Sequence, residues 1–411
     1  MAYPLWQFLI CDNHGNVLGE LTEAKERIVK KPLSRVHNGS FVVDCSNPWI
    51  NVLRELDETF IKVYRNNVLQ CLGPVTTTQK TRTTGTNTMA VNWAGIGWRL
   101  GTRLIEESKS SKGVEYGKPA EPMDVGQMIV KIINGLNNAP LIPNIPSNGL
   151  KAPYNVVDPA PPAIVSSTAP LPQGDTGIRV GTVGTCPKSS VGPWFYQNAL
   201  GGISLIASTF SGFDWEIEPV EPYKDALGTV FGLFNCAQGH AHPEDAFGKY
   251  RPDVVFEYGD GKNNVAEWTE LIDATGLLNR AFAAPGLSNT ESEEVVMQYD
   301  WQGMADRNCV YEDSVPSSVV TTDLRNALLQ EQVIVRRYPR SVITFKPTAD
   351  PQTSVMPEYG TEWGLGDIFR FRAVEYGVET FNGLCRVYEA EFQIDDSGNE
   401  LVTPILVEQE T

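Results

Sequence analysis

Two of the four histidines of this 411-residue chain fall in one short run, Cys236-Ala237-Gln238-Gly239-His240-Ala241-His242-Pro243-Glu244-Asp245. A zinc ion takes three or four converging thiolate or imidazole donors, so Cys236, His240 and His242 are the metal candidates. Gly239 and Pro243 bracket the histidines as loop residues do, and alternate positions put both rings on one side of an extended tip. A solvated loop is the better reading, and no metal or other cofactor is assigned.

Glu216 and Glu218 stand one residue apart on a predicted strand and point to the same face, so they can be imagined as the acid pair of a glycosidase. In a chain of 50 acidic against 33 basic residues, a solvated carboxylate face is the simpler account. Gly184-Thr185-Cys186-Pro187-Lys188-Ser189 is superficially like a phosphate loop, but Pro187 sits where glycine must let backbone amides reach phosphate. Gly95-Ile96-Gly97-Trp98-Arg99-Leu100-Gly101 misses the dinucleotide fingerprint and carries a bulky Trp98, so it reads as a packing or turn segment. Asp260-Gly261-Lys262-Asn263 lacks a calcium loop's ligand series, and Asp395 and Asp396 read as turn residues. No Gly-x-Ser-x-Gly occurs, so no catalytic residue is assigned and an enzyme is not expected.

The elements that would position such residues are mostly strands. Trp6 to Ile10, a turn through Asp12-Asn13-His14-Gly15-Asn16, and Val17 to Leu21 make a hairpin signal. Ser40-Phe41-Val42-Val43-Asp44-Cys45 is another strand. Phe60 to Arg65 and Val68 to Leu72 flank Asn66-Asn67, residues that tolerate the positive φ of a two-residue primed turn. Thr-rich residues 76–88 suit a long solvent-touching strand pair, and a meander or small barrel over 1–105 follows.

Apolar residues at mostly helical spacing predict a helix over 123–136, capped by Asp124. Ten prolines between 139 and 192 exclude regular helix or central strand and imply an extended arm. A helix over 196–209 and the alternating strand Phe213-Asp214-Trp215-Glu216-Ile217-Glu218 complete an α+β module at 106–225. Residues 226–411 read as a second β domain. Val254 to Tyr258 and Val265 onward resemble a hairpin, 321–332 a helical insertion, and 367–372, 384–392 and 401–407 three strands.

A chain this long exceeds one growing core, so several are expected. Seven scattered cysteines, Cys11, Cys45, Cys71, Cys186, Cys236, Cys309 and Cys385, fit reduced and mostly buried thiols better than a disulfide framework. A formal net charge of -17 disfavours specific binding of nucleic acid, whose phosphates it would repel. No apolar run is long enough to span a membrane, and no secretory leader is read at Met1-Ala2-Tyr3-Pro4.

The order of four segments resembles the minor tail proteins of long-tailed actinobacterial phages, which are similar to the baseplate hub of contractile tails. The first is Trp6-Gln7-Phe8-Leu9-Ile10, Gly19-Glu20-Leu21 and Asn38-Gly39-Ser40-Phe41 before Leu72-Gly73-Pro74-Val75. The second is Phe213-Asp214-Trp215-Glu216-Ile217; the third runs from Tyr258-Gly259 through Asn263-Asn264-Val265 and Leu278-Asn279-Arg280 to Pro285-Gly286; the fourth is Leu365-Gly366-Asp367-Ile368. The long proline-rich stretch departs from that pattern.

The resemblance implies two tube-like β-barrel or β-sandwich domains, at 1–105 and 226–411, around a smaller α+β domain. It further implies a homotrimer whose six β units dock on a hexameric distal tail ring. Tape measure protein and other tail-tip proteins would be neighbours, DNA would pass without specific binding, and the trimer would sit at the virion tail tip after assembly in the host cytoplasm. Acidity suits that role, because a carboxylate-lined channel repels DNA. The alternative is a carbohydrate-binding or cell-wall-cleaving tail component, suggested by nine Trp and abundant carboxylates.

Overall fold

The computed structural model describes residues 5–56, 58–105, 114–116, 123–138, 176–184, 186, 188–189, 191–194, 197–209, 213–238, 248–259, 264–283, 296–307, 309–314, 326, 329–330, 332–334, 336–348 and 357–408. The first unit comprises β1 (Trp6–Cys11), β2 (Val17–Glu20), β3 (Lys25–Pro32), β4 (Asn38–Asp44), β5 (Phe60–Arg65), β6 (Val68–Arg82) and β7 (Asn87–Ala94). Alternation builds it: in β4, Phe41 and Val43 face the core while Ser40 and Val42 do not, and in β7 Met89, Val91 and Trp93 do the same. The β5–β6 turn takes the predicted form, with Asn66 and Asn67 at φ 51° and 62°. α1 (Trp98–Gly101) then ends the unit, so Gly95 to Gly101 is a turn into a short helix.

The chain continues through β8 (Val114–Tyr116), β9 (Met123–Asp124), α2 (Val125–Asn138), β10 (Ile178–Val183), β11 (Lys188–Ser189), β12 (Val191–Trp194), α3 (Ala199–Thr209), β13 (Phe213–Lys224) and β14 (Thr229–Gln238). The amide of Gln127 donates to the Asp124 carboxylate at 3.1 Å, which makes Asp124 the expected cap. Residues 139–175, most of the proline-rich arm, lie outside the described residues. Within the rest, the proline-free window between Pro172 and Pro187 forms β10, an edge strand parallel to β14. β14 lies beyond the expected bound at 225, yet it pairs with β13 and β10 and belongs to this module. Both helices pack on that three-stranded sheet through Met128, Ile129, Ile132, Ile203 and Ile206 against Trp215 and Phe234.

The second unit holds β15 (Tyr250–Tyr258), β16 (Val265–Asp273), β20 (Arg340–Pro347), β21 (Ile368–Glu375), β22 (Val378–Ile394) and β23 (Glu400–Glu408). Between β16 and β20 stand β17 (Arg280–Ala283), β18 (Val296–Tyr299), α4 (Trp301–Arg307) and β19 (Glu312–Ser314). The expected helix over 321–332 falls largely outside the described residues; Asn326, Leu329 and Gln330 are helical. The expected hairpin of β15 with β16 does not form. β15 pairs parallel with β21, and β16 pairs antiparallel with β20, because each strand's inward residues find their partners there. The rings of Phe256, Phe345, Phe369 and Phe371 meet at centroid distances from 4.7 to 5.3 Å.

The two units repeat one strand plan. In the first, β3-β4-β7-β6-β5 are consecutive antiparallel neighbours; in the second, β16-β20-β23-β22-β21 are. The long strands β6 and β22 each pair with the preceding strand in one half and the following strand in the other. Each also carries a register shift at the crossover, between Val75 and Thr77 in β6 and between Val387 and Glu389 in β22. The sixth strands differ, β1 being antiparallel to β5 and β15 parallel to β21.

Candidate assembly interface

The joint between the units is a strand pair. Residues 27–32 of β3 run antiparallel to 394–389 of β22, so both units belong to one continuous sheet. Val29 and Phe392, both fully buried, meet on its inner face and join the two units in a shared core with Phe41, Phe345 and Leu406. On the outer face Lys30 and Glu391 form an ion pair at 2.6 Å. The hydrogen bond from Lys30 to Glu391 raises the ammonium pKa. Burial alone would raise the Glu391 pKa, but hydrogen bonds from Lys30 and Gln393 outweigh it and hold it below the usual range.

The outer face continues across both units as Ser40, Ala90, Asn92, Thr77, Gln79, Thr403, Thr344 and Thr269, with carboxylates of Glu267, Glu389 and Glu391. Of the lysines on it, Lys30 and Lys346 are paired with Glu391 and Glu267 at 2.6 and 2.9 Å, and Lys25, opposite Val42, acts on the Asp44 carboxylate. A polyanion lying along this face meets amides, hydroxyls, aliphatic side chains such as Val42, Val342 and Leu271, and lysines set beside carboxylates, so it finds little to bind.

Three parts of the chain converge at a buried polar node behind the joint. Asp214 of β13 accepts from the Arg386 guanidinium of β22 and, at 3.3 Å, from the Ser34 hydroxyl in the β3–β4 turn. Arg386 is 1% exposed and donates also to the Gly366 carbonyl at 3.0 Å. Burial would lower the guanidinium pKa, but the charge of Asp214 overrides it and raises it. Ser34 and Trp215 exchange further bonds, Ser34 amide to Trp215 carbonyl at 3.0 Å and Trp215 amide to Ser34 hydroxyl at 3.3 Å. Farther along β13, Glu221 accepts from the nearly buried Lys62 at 3.1 Å and from the Tyr64 hydroxyl. The module is thereby keyed to both units by charge as well as by the Phe60–Phe231 stack.

Among the described residues, the sequence candidates do not assemble into a catalytic site. Cys236 is buried in the module core against Cys186, whose hydrogen bond, together with burial, holds the Cys236 thiol protonated. His240, His242 and the Asp260 turn lie outside the described residues. Glu218 accepts a hydrogen bond from the Asn235 side chain at 3.0 Å. Burial raises the Glu216 pKa, with Lys31 opposing, so the two carboxylates share a strand face but not an environment. Asp395 closes the β22–β23 turn by accepting from the amides of Ser397 and Asn399, each at 2.8 Å. Of the tryptophans, Trp6, Trp93, Trp215 and Trp363 serve the cores, and Trp301 alone among those described is largely exposed, at 67%. Missed altogether were Arg386 and Lys62, buried cations whose acids, Asp214 and Glu221, lie on β13.

No protein-family model matches the sequence, and no curated protein matches it. The fold does match solved structures. The tail protein from Neisseria meningitidis MC58 superposes over 98% of this chain and 97% of its own, at 10% identity and a TM-score of 0.54. The 43 kDa tail protein of prophage MuSo2 from Shewanella oneidensis covers 98% of both chains at 12% identity and a TM-score of 0.56. This chain therefore has, over nearly its whole length, the mainly β fold found in these two tail proteins.

Proposed function

We propose that the chain is a structural component of a phage tail tip: a hub that joins the tail tube and its distal ring to the adsorption apparatus and surrounds the path of DNA. The observation that carries this reading is the duplicated strand plan, two β units of one topology fused edge to edge in a single sheet. Such a chain supplies paired, equivalent building blocks to a closed ring, and three copies would present six units to a hexameric partner. The mostly uncharged or compensated outer face suits a DNA channel. Tape measure protein and other tail-tip proteins would be its neighbours, the virion tail tip its location and the host cytoplasm its place of assembly. We infer no enzymatic role, since Glu216 and Glu218 sit in unlike environments and Cys236 is enclosed by core.

The proposed domain bounds follow strand pairing: 1–105, then 106 to about 247 so that β14 stays with β13, then the remainder. Size-exclusion chromatography with light scattering tests the assembly, with a trimer expected and binding to a recombinant distal tail ring. A monomer at high concentration that ignores the ring would overturn the hub reading. A carbohydrate-binding role has one observation in its favour, the exposed Trp301 beside Tyr299 with ring centroids 4.5 Å apart. Retention on host cell-wall glycan, lost in Trp301→Ala, would select it.

A further inference from the structure

Superposing the strand plans fixes which residues correspond. The β6–β7 hairpin closes at Arg82 opposite Asn87, and β22–β23 at Ile394 opposite Glu400. With the register shifts also aligned, Thr78, Lys80 and Arg82 correspond to Ala390, Phe392 and Ile394. Following the pairs outward, Asn38 opposite Ala94 corresponds to Val342 opposite Val407, and Lys30 opposite Asn38 to Leu271 opposite Val342. Hence Arg27, Val29 and Lys31 of β3 correspond to Trp268, Glu270 and Ile272 of β16.

In β22, the segment beyond the register shift has strands on both sides, β23 and β3. The corresponding segment of β6, residues 77–82, has β7 on one side, and among the described residues no strand pairs with its other side. β16, the counterpart of β3, ends the sheet. One chain thus contains one completed joint and, at separate places, both halves of a second.

We propose that residues 78–82 of one copy pair antiparallel with residues 268–272 of the next, repeating the β22–β3 joint with Lys80 opposite Glu270, Arg82 opposite Trp268 and Thr78 opposite Ile272. Four observations support this register. It opposes inward-facing positions to inward-facing positions, as the internal joint does with Val29 and Phe392. It sets a cation against a carboxylate at Lys80 and Glu270, and a guanidinium against an indole at Arg82 and Trp268. It covers Leu271 and Ile272, exposed at 60% and 63% on an edge strand where bare apolar side chains are an aggregation hazard. It is also head-to-tail, the contact type that builds closed rings when its rotation fits. The pairing deepens the ring reading above by naming the strands and register that join the copies.

The test mixes two full-length variants in a Cys309→Ser background, one carrying Lys80→Cys and the other Glu270→Cys. Opposed positions on antiparallel strands bring Cβ atoms within roughly 4.5–5.5 Å, close to what a disulfide accepts, whereas a two-residue offset leaves about 7–8 Å. Mild oxidation is expected to give a cross-linked dimer on a non-reducing gel for this mixture and little for Thr78→Cys with Glu270→Cys. Both side chains are exposed, so folding is not at stake. Independently, Lys80→Glu is expected to weaken self-association at least tenfold, and adding Glu270→Lys to recover it. Oligomers that form without this cross-link and ignore the charge exchange would overturn the pairing while leaving the hub reading standing. Monomers throughout would overturn both.

Discussion

Replacing Asp214 by Ala would test the three-way node most directly. The substitution leaves the Arg386 guanidinium, 1% exposed, with the Gly366 carbonyl and Tyr388 but without the charge of Asp214. Breaking one side of a buried ion pair costs about 3–5 kcal/mol, since the remaining charge stays desolvated. The lost hydrogen bond from Ser34 adds about 1 kcal/mol. Against a typical total stability of about 5–15 kcal/mol, that is about a quarter or more. With a urea slope of about 3 kcal/mol per M, the midpoint should fall by roughly 1.3–2 M. Trp215, adjacent to the node and stacked on Phe234 at 5.9 Å, offers a fluorescence signal for that transition. Arg386→Met should cost a similar amount, and the double variant much less than the sum, because neither charge is then stranded. Single variants that each cost under about 1 kcal/mol, with an additive double, would refute this account of the node.

Three shorter tests address other parts of the molecule. His37 is buried beside Lys31, and burial depresses its pKa from 6.5 to about 3. The unfolded chain then binds a proton between those values that the folded one does not. Stability should be full above about pH 6.5 and fall by about 1.4 kcal/mol per pH unit toward pH 3. An imidazole NMR titration near 6.5 in the folded protein would contradict it. Gly39→Ala should destabilise by about 1–3 kcal/mol in thermal or urea unfolding, because the added Cβ would stand 2.3 Å from Trp93 and 2.5 Å from the Ile28 carbonyl. Asn67→Ala, which forces alanine to φ near 62°, should lower stability by about 1–2 kcal/mol, read from the same curves.

Much of the local structure was legible because its causes are local. The Asn66-Asn67 turn, the Asp124 cap and the Asp395 turn are each decided by a few neighbouring residues, and each formed as the chain order suggested. What escaped was decided at a distance. β15 and β16 look like a hairpin because they are adjacent and apolar, yet their partners, β21 and β20, come some seventy or more positions later (Val265 opposite Pro347). The duplicated plan left no residue-level repeat, since equal strand order needs equal alternation but not equal residues; Phe392 and Lys80 hold corresponding places. Arg386 was invisible as a joint residue because its acid, Asp214, lies in another module.

The pairing of β3 with β22 also has a consequence for how the protein is made. Pro32 leaves the ribosome long before Glu389, its partner. At about 5–20 residues per second, the roughly 350 intervening residues take roughly 20–70 s. Throughout that interval the N-terminal unit carries an open β3 edge, the kind of border that captures other nascent chains. Crowded polysomes are therefore the stage at which this polypeptide is most exposed to faulty pairing, and its final two strands act as the stopper that ends the danger.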